Sequence, residues 1–394
     1  MSLTNLNQIN LGGWRGDPNV TVHISREIEK ASWEESKFLP LLGSGENRGI
    51  KAVKAEKSQP ISPRLKTALQ GRGVIGNANL DTNLDKLEIL SQVVYPRLVA
   101  NATESEVKQY QAIKEIDFLK ESIDSLTTWI EEKRDRFLFA ALSNDITNCV
   151  ICDKEKGFKD TSKEETVSKA AKKVQVDDTM SVKAIQRAIL MAKTGQKFNG
   201  KPAFPIKPIK STKTQEGGLN LSYHSYVILL DSYQIQQLRS DPEWKEMQDK
   251  SPRDETHRIF TGLAGMIDGC PIIDMGTWST LSPGMINSTV SDSEFVDNIN
   301  PENFKTITPP SAYASDKMPL SIGYLIGASA LIMAGDSKVN FYINEAADMG
   351  RKIQCGVDRL MAIAKGRFES HADGFLSPYA NTDYAVIGIF SSLQ

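Results

Sequence analysis

Residues 103–142 read TESEVKQYQAIKEIDFLKESIDSLTTWIEEKRDRFLFAAL. The stretch holds neither Gly nor Pro, the two residues that most weaken a helix interior. Val107, Tyr110, Ile113, Ile116, Leu119, Ile123, Leu126, Ile130, Phe137 and Ala141 recur mostly at steps of three and four, which is the helical period. Thr103 and Glu106 spell a capping box, in which the hydroxyl and the carboxylate each take an orphaned backbone N–H. At a rise of about 1.5 Å per residue this helix runs roughly 60 Å, far beyond the usual length of about three turns. Such length needs a reason: a coiled coil, a helical repeat, or a strut on which other parts hang. The surrounding chain shows no heptad partner and no internal repeat, which leaves the strut.

Upstream, residues 50–55 and 87–99 have strand character, and Pro60, Pro63, Gly71, Gly73 and Gly76 lie between them. This pattern predicts a long two-stranded ribbon with an irregular tip. A lone ribbon buries too little surface to stand by itself, so it must lean on its own chain or on a neighbouring subunit. Residues 1–20 are rich in Asn and Gly and read as an extended arm. Residues 21–38 predict a short helix with Ile24, Ile28, Ala31 and Phe38 on one side and Trp33 nearby, closed by the turn-rich 39–49.

Downstream, 153–173 is a mixed-charge, hydrophobe-poor run that reads as a solvated loop. Residues 181–193 predict a helix with Ile185, Ala188, Ile189 and Ala192 inward and Gly195 as its C-terminal cap. Residues 193–213 carry Lys193, Lys197, Lys201, Lys207, Lys210 and Lys213 with no acid between them, stiffened by Pro202, Pro205 and Pro208. A buried strand at 226–230 leads into helices opened by Asp231 and by Asp241-Pro242, the second running through Trp244. A strand follows at 271–274, after a turn with Gly262, Gly265 and Gly269. Residues 275–318 are loop-rich. The apolar run 322–334 reads as a helix stopped by Gly335, and strands follow at 339–343, 359–368 and 383–390. Helices and strands mix without regular alternation, so the fold class is α+β.

Composition narrows the function. Apolar content of 40 % and charged content of 24 % over 394 residues are those of a soluble globular protein. A net charge of −2 exerts no global pull on nucleic acid or membrane. Cys149, Cys152, Cys270 and Cys355 are too few and too scattered for a disulfide framework, which points to a reducing compartment. Nothing reads as a signal peptide, and the longest apolar run is too short to span a bilayer. The chain reads as a soluble cytosolic product.

Three patterns resemble chemical sites. Gly71-Arg72-Gly73-Val74-Ile75-Gly76 has the spelling of a dinucleotide loop, but a polar stretch with Pro63 precedes it and a poor helix former follows, whereas the fingerprint needs a strand before and a helix after. Cys149-x-x-Cys152 lacks the second pair or the histidines that zinc requires. The lysines of 193–213 would attract phosphates, yet only Phe198 and Phe204 are interleaved with them, thin for a stacking site. His23, His224, His257 and His371 show no ligand spacing. No hydrolase, Walker or metalloprotease spelling occurs, so no catalytic, cofactor-binding or metal residue is assigned, and the chain reads as no enzyme. A cytosolic protein that binds a nucleotide or nucleic acid through the 71–76 glycine loop and the 193–213 lysines is the alternative function.

The order of parts carries more than any motif: arm, two-stranded loop, one very long helix, mixed domain, and a return to strands. With Gly71-Arg72-Gly73-Val74-Ile75-Gly76-Asn77 returning to Tyr95-Pro96-Arg97, the chain resembles the HK97-like major capsid proteins of tailed double-stranded DNA phages, and within them the N-four-like subfamily. Further stretches carry the likeness: Leu126-Thr127-Thr128-Trp129, Tyr226-Val227-Ile228-Leu229-Leu230 running into Gln237-Leu238-Arg239-Ser240-Asp241-Pro242-Glu243-Trp244, Ile259-Phe260-Thr261-Gly262, Ile326-Gly327-Ala328-Ser329-Ala330-Leu331 and Asp383-Tyr384-Ala385-Val386-Ile387-Gly388. It covers roughly residues 20–394; the segments 153–213 and 275–318 depart from the family pattern.

The resemblance implies a division of the chain. Residues 1–45 are then an N-terminal arm with a short helix, and 46–98 an extension loop, the β-ribbon. Residues 99–150 form a peripheral domain around the spine helix, 151–330 are mainly an axial domain with a lysine-rich insert, and 331–394 close the peripheral and axial sheets. It implies a virion protein, assembled in the host bacterial cytoplasm into homo-hexamers and homo-pentamers of an icosahedral shell around packaged double-stranded DNA. Scaffolding, portal and decoration proteins are the implied partners, with no membrane. Some phages of this fold weld subunits through a Lys–Asn bond. The ribbon carries Lys51, Lys54, Lys57 and Lys66, but no cross-link site is assigned. Independently of the likeness, an arm and a ribbon that cannot stand alone call for obligate partners, and identical subunits are the economical choice.

Overall fold

The computed structural model describes residues 18–36, 38–43, 45, 47–54, 64–66, 74–75, 89–91, 94–107, 118–143, 146–210, 214–216, 219–221, 224–250, 263–276, 320–335, 339–344, 347–368 and 382–392. Helix α1 (Pro18–Glu35) opens the described chain. Strands β1 (Ile50–Lys54), β2 (Arg64–Lys66), β3 (Ile89–Ser91) and β4 (Arg97–Glu104) precede the long helix α2 (Phe118–Ser143). Then come β5 (Cys149–Asp153), β6 (Gly157–Phe158), α3 (Val167–Ala171), α4 (Val182–Thr194), β7 (Val227–Leu230), α5 (Ser232–Ser240) and α6 (Pro242–Lys250). The chain closes with β8 (Leu263–Ile267), β9 (Cys270–Asp274), β10 (Leu320–Ile326), β11 (Leu331–Gly335), β12 (Asn340–Asn344), β13 (Gln354–Lys365) and β14 (Val386–Ser392).

Two sheets organise these elements. In the first, β13 is the axis. Its residues 354–358 pair with both β4 and β12, so those strands take opposite edges. Pairing with β4 continues to Met361, residues 361–365 of β13 pair with β11, and β1 lies parallel to β11. Helices α1 and α2 cover one face. Ile24 and Ile28 of α1, Ile123, Leu126 and Ile130 of α2, and Phe341, Cys355 and Val357 of the sheet form one buried cluster. The second sheet has the order β8-β9-β7-β10-β14-β5-β6. Its central strands β7, β10 and β14 are buried along their whole length, as strands covered on both faces must be.

The strut is a helix, but shorter and placed later than the period predicts. Its 26 residues span about 39 Å. Thr103 caps nothing: it is a strand residue opposite Cys355, and Glu104 lies opposite Gln354. Eight backbone pairings along β13, with β-branched Val99 and Thr103 suited to a pleated surface, outweigh one capping box. Residues 108–117 lie outside the described residues.

The ribbon is also redistributed. Residues 50–54 do not pair with the returning strand; they join the first sheet, parallel to β11. The described ribbon is β2 against β3, Arg64 opposite Ser91 and Lys66 opposite Ile89.

The apolar run 322–334 is no helix. Residues 320–326 are the strand β10 of the second sheet and 331–335 the strand β11 of the first. Continuous burial removes the polar residues whose spacing would separate the two periods. The crossover between them is held from four directions. Gly327 N–H donates to Ala385 O, Ala328 N–H to Lys207 O, Ser329 N–H to Arg48 O and Leu331 N–H to Gly49 O, at 2.7–3.1 Å. A Cβ on Gly327 would meet Ile206 Cγ2 at 2.3 Å, so this corner admits glycine alone.

The mixed-charge run is likewise more ordered than a solvated loop. It contains β6 and α3, and Val167, Ala170, Ala171 and Val174 are buried. Lys159 Nζ meets the nearly buried Asp178 at 2.5 Å. Here a few apolar residues on one short helix turn suffice, because the charges pair among themselves.

Candidate assembly surfaces

Helix α1 is fastened to the first sheet through charge as well as apolar burial. Arg134 of α2 is fully buried. Its guanidinium stacks 3.5 Å over the Trp33 ring and donates to the hydroxyl and carbonyl of Ser32. Burial, then the nearby Arg359 charge, pulls its pKa down to about 10. Glu29 answers on the other side. It accepts Trp33 Nε1–H at 2.7 Å and pairs with Arg359 Nη1 at 2.8 Å. Ser36 Oγ donates to Asp135 at 2.8 Å, and Phe341 N–H donates to Ser25 Oγ. None of this was legible in the sequence, where Arg134 falls in a run of charged residues.

On the opposite face of the first sheet, Ala334, Ala362 and Ala364 are buried with Val94, while the part around β4, β12 and residues 356–360 has no cover among the described residues. Leu98 stands beside Leu360, Ala100 beside Asp358, and Ala102 and Tyr342 flank Gly356. Leu98 is 63 % and Tyr342 54 % exposed. The Tyr342 phenol, hydrogen-bonded to Asp358, is held above its ordinary pKa.

The lysine segment is a built turn. Gly195 takes the left-handed conformation (φ +67°) at the end of α4, and its N–H returns to Met191 O. Lys197 N–H donates to Lys201 O, and Asn148 clamps the turn through Gln196 O and Phe198 N–H. Lys193, Lys201 and Lys207 are exposed, while partial burial and the adjacent Lys201 charge push Lys197 down. Phe198 is in the core and offers no ring for base stacking. Of the glycine loop only Val74 and Ile75 are described, and Ile75 is 93 % exposed.

Cys149 and Cys152 lie on β5, three residues apart, so their side chains leave opposite faces of the strand. Both are free and buried, and burial pushes both thiols up. This is the behaviour of structural cysteines. His257 and His371 fall outside the described residues. Among the described residues no helix is long and apolar enough to cross a membrane.

The sequence profile of the phage capsid protein family matches residues 16–393. The chain belongs to that family. This capsid protein is 39 % identical over 406 aligned residues, along the full length of both chains, to the major structural protein ORF14 of Helicobacter pylori bacteriophage KHP30. In solved structures it matches the head of Helicobacter pylori bacteriophage KHP40, at 40 % identity and TM-score 0.73 over all of both chains. It also matches the acid-stable KHP30 capsid, at 40 % identity and TM-score 0.72 over 98 % of this chain and all of that one. The capsid of Ralstonia phage GP4, at 17 % identity and TM-score 0.62 over 91 % of each chain, shares the fold. The protein is thus a major capsid protein of a bacteriophage with the HK97-like fold, a structural component of the virion shell and not an enzyme. The nucleotide- or nucleic-acid-binding alternative finds no support, and the buried Phe198 removes one of its two aromatic residues. The capsid protein's surfaces are therefore read as contacts between copies.

Proposed function

We propose that this capsid protein builds its shell from homo-hexamers and homo-pentamers around packaged double-stranded DNA. The arm within 1–45 reaches across neighbours, and the extension loop of 46–98, rooted in the first sheet through β1 and β4, lies over the adjacent subunit with the part between those strands. Residues 99–150 supply the peripheral domain with its spine helix, 151–330 most of the axial domain, and 331–394 the strands that close both sheets. Assembly takes place in the host bacterial cytoplasm with scaffolding and portal proteins.

The observation that carries this reading is the exposed part of the first sheet around β4 and β12, which nothing among the described residues covers. Leu98 and Tyr342 lie exposed on a flat surface of small residues, opposite the face covered by α1 and α2. An exposed apolar surface of that kind marks a contact with another chain. The two-sheet architecture supports the peripheral and axial division, since the chain passes from one sheet to the other at 327–330.

Electron microscopy of the protein expressed alone and with its scaffolding protein tests the reading. Closed shells, tubes or isolated six- and five-fold rings are expected. Monodisperse monomers by light scattering under both conditions, with no assembled species in micrographs, overturn it.

A further inference from the structure

Helix α4 separates two surfaces of opposite charge. At its start lies a cleft of about 770 Å³, between the β5–β6 hairpin, the first turn of α4 and the helices α5 and α6. Asp153, Glu155, Asp241 and Glu243 line it against Lys154 and Lys183. Both lysines are committed, Lys154 to Asp177 and Lys183 to Glu243, each at 2.9 Å. Asp153 accepts only the backbone N–H of Lys156, and Asp241 those of Val182 and Glu243. The cleft therefore keeps a surplus of negative charge.

At the other end of α4 stands the lysine turn. Among the described residues none of Lys193, Lys197, Lys201 and Lys207 forms an ion pair. Glu165, the acid whose carboxyl feels Lys201, is already bonded to Lys169 at 2.7 Å. Partial burial, with the Lys201 charge beside it, lowers the Lys197 pKa. The backbone bonds that build the turn hold these lysines on a fixed frame rather than a floppy loop.

The 13 residues of α4 set the two surfaces about 20 Å apart. The turn of one copy cannot fill its own cleft. Unlike but complementary patches on opposite flanks of a subunit are what a head-to-tail ring requires. We propose that in each ring of this protein the Lys197–Lys201 turn of one copy docks into the acidic cleft of the next, where Asp153 and Glu155 receive it. Complementary charge of this kind sets register and speeds encounter more than it adds affinity. The inference rests on the ring-building reading above and names one contact within it.

Charge reversal tests it. Lys201→Glu and Glu155→Lys each alter an exposed side chain, and circular dichroism checks that the subunit still folds. Each alone should lower the yield of shells about tenfold relative to wild type, and the two together should restore it. Shell yields at wild-type level for both single variants, or no recovery in the double variant, overturn the contact. A second measurement needs no variant. Shells grown from mixed light and heavy-isotope copies are treated with a carbodiimide, which activates a carboxylate for attack by a lysine amine and departs as the urea, carrying away the oxygen and the two protons that the new amide bond loses. Mixed-isotope peptides joining Lys197 or Lys201 to Asp153 or Glu155 are expected. Links from these lysines only to other acids overturn the contact. If Lys201→Glu leaves shell yield intact but lowers the DNA content of particles, the turn faces nucleic acid and the proposal fails. Wild-type protein that forms no rings or shells in the same experiment removes the ring-building reading itself, a result distinct from normal shells with indifferent variants.

Discussion

Lys365 Nζ lies 2.9 Å from Asp383 Oδ1, and neither side chain reaches solvent. The contact is ionic, without the alignment of a hydrogen bond. Arg367 Nε approaches the same oxygen at 3.4 Å. The other carboxylate oxygen accepts Thr147 N–H at 2.9 Å, and Asp383 N–H donates to Thr147 Oγ1 at 2.8 Å. Lys365 ends β13 of the first sheet, while Thr147 leads into β5 and Asp383 into β14 of the second. One buried carboxylate therefore ties the two sheets together.

Removing that carboxylate leaves buried positive charge behind. Asp383→Ala should destabilise the unassembled subunit by about 3–5 kcal/mol, the usual cost of breaking a buried pair from one side. Urea unfolding followed by tryptophan fluorescence measures it. A loss within the range of an exposed ion pair, below about 1 kcal/mol, would show that the joint does not depend on this charge.

The anchoring of α1 gives a second test. Glu29→Ala takes away the group that accepts from Trp33 Nε1–H and pairs with Arg359. A loss of about 1–3 kcal/mol is expected for buried donors that lose their acceptor. Loosening of Trp33 should also shift its emission to longer wavelength. An unchanged spectrum with an unchanged midpoint would contradict the anchor.

The pH dependence of one surface pair has a definite sign. Lys352 first, then Gln354, hydrogen-bonds the Glu104 carboxylate and lowers its pKa. A depressed carboxyl adds stability that is present above its unfolded value, about 4.3. That stability is lost as pH falls through the lower folded value. Glu104→Gln should therefore lower the melting temperature slightly at pH 7, and the gap to wild type should shrink as pH falls through the lowered value. A gap that stays constant or widens as pH falls below the ordinary carboxylate range would assign the effect to something other than this charge.

Deleting residues 56–80 tests the ribbon. Of these residues only 64–66 and 74–75 are described, and both sheets are built without them. The deleted protein should keep its circular dichroism and a cooperative melt yet form no closed shells. Wild-type shells in electron micrographs from the deleted protein would remove the bridging role given to this loop.

Much of the architecture is legible from local pattern. The Gly195 end of α4 is read from cap chemistry and found in place, the glycine left-handed, while Ser181, read as the first helical residue, is the N-cap, its side chain accepting Ala184 N–H. The apolar residues 227–230 and the Asp231 boundary behave as their spelling predicts. The long helix exists, because Ile123, Leu126 and Ile130 keep the helical period and a single partner face buries them. The run 322–334 reads as a helix and folds as two strands because burial on every side erases the polar half of the pattern. The ribbon was mispaired because residues 50–54 pair in parallel with β11, some 280 residues later in the chain, and no local rule reports a partner at that distance.

The sequence by itself determined the class of fold, the glycine-capped end of α4 and the family, since each is written in residue type and spacing along one short stretch or in the order of such stretches. Only the tertiary structure decided which strands pair, which charges are buried and where opposite charges face outward. Lys365, Asp383 and Arg134 look like any surface charge in the sequence. Their burial depends on neighbours far away in the chain, and a buried charge acquires its partner only when the folded backbone brings that partner near.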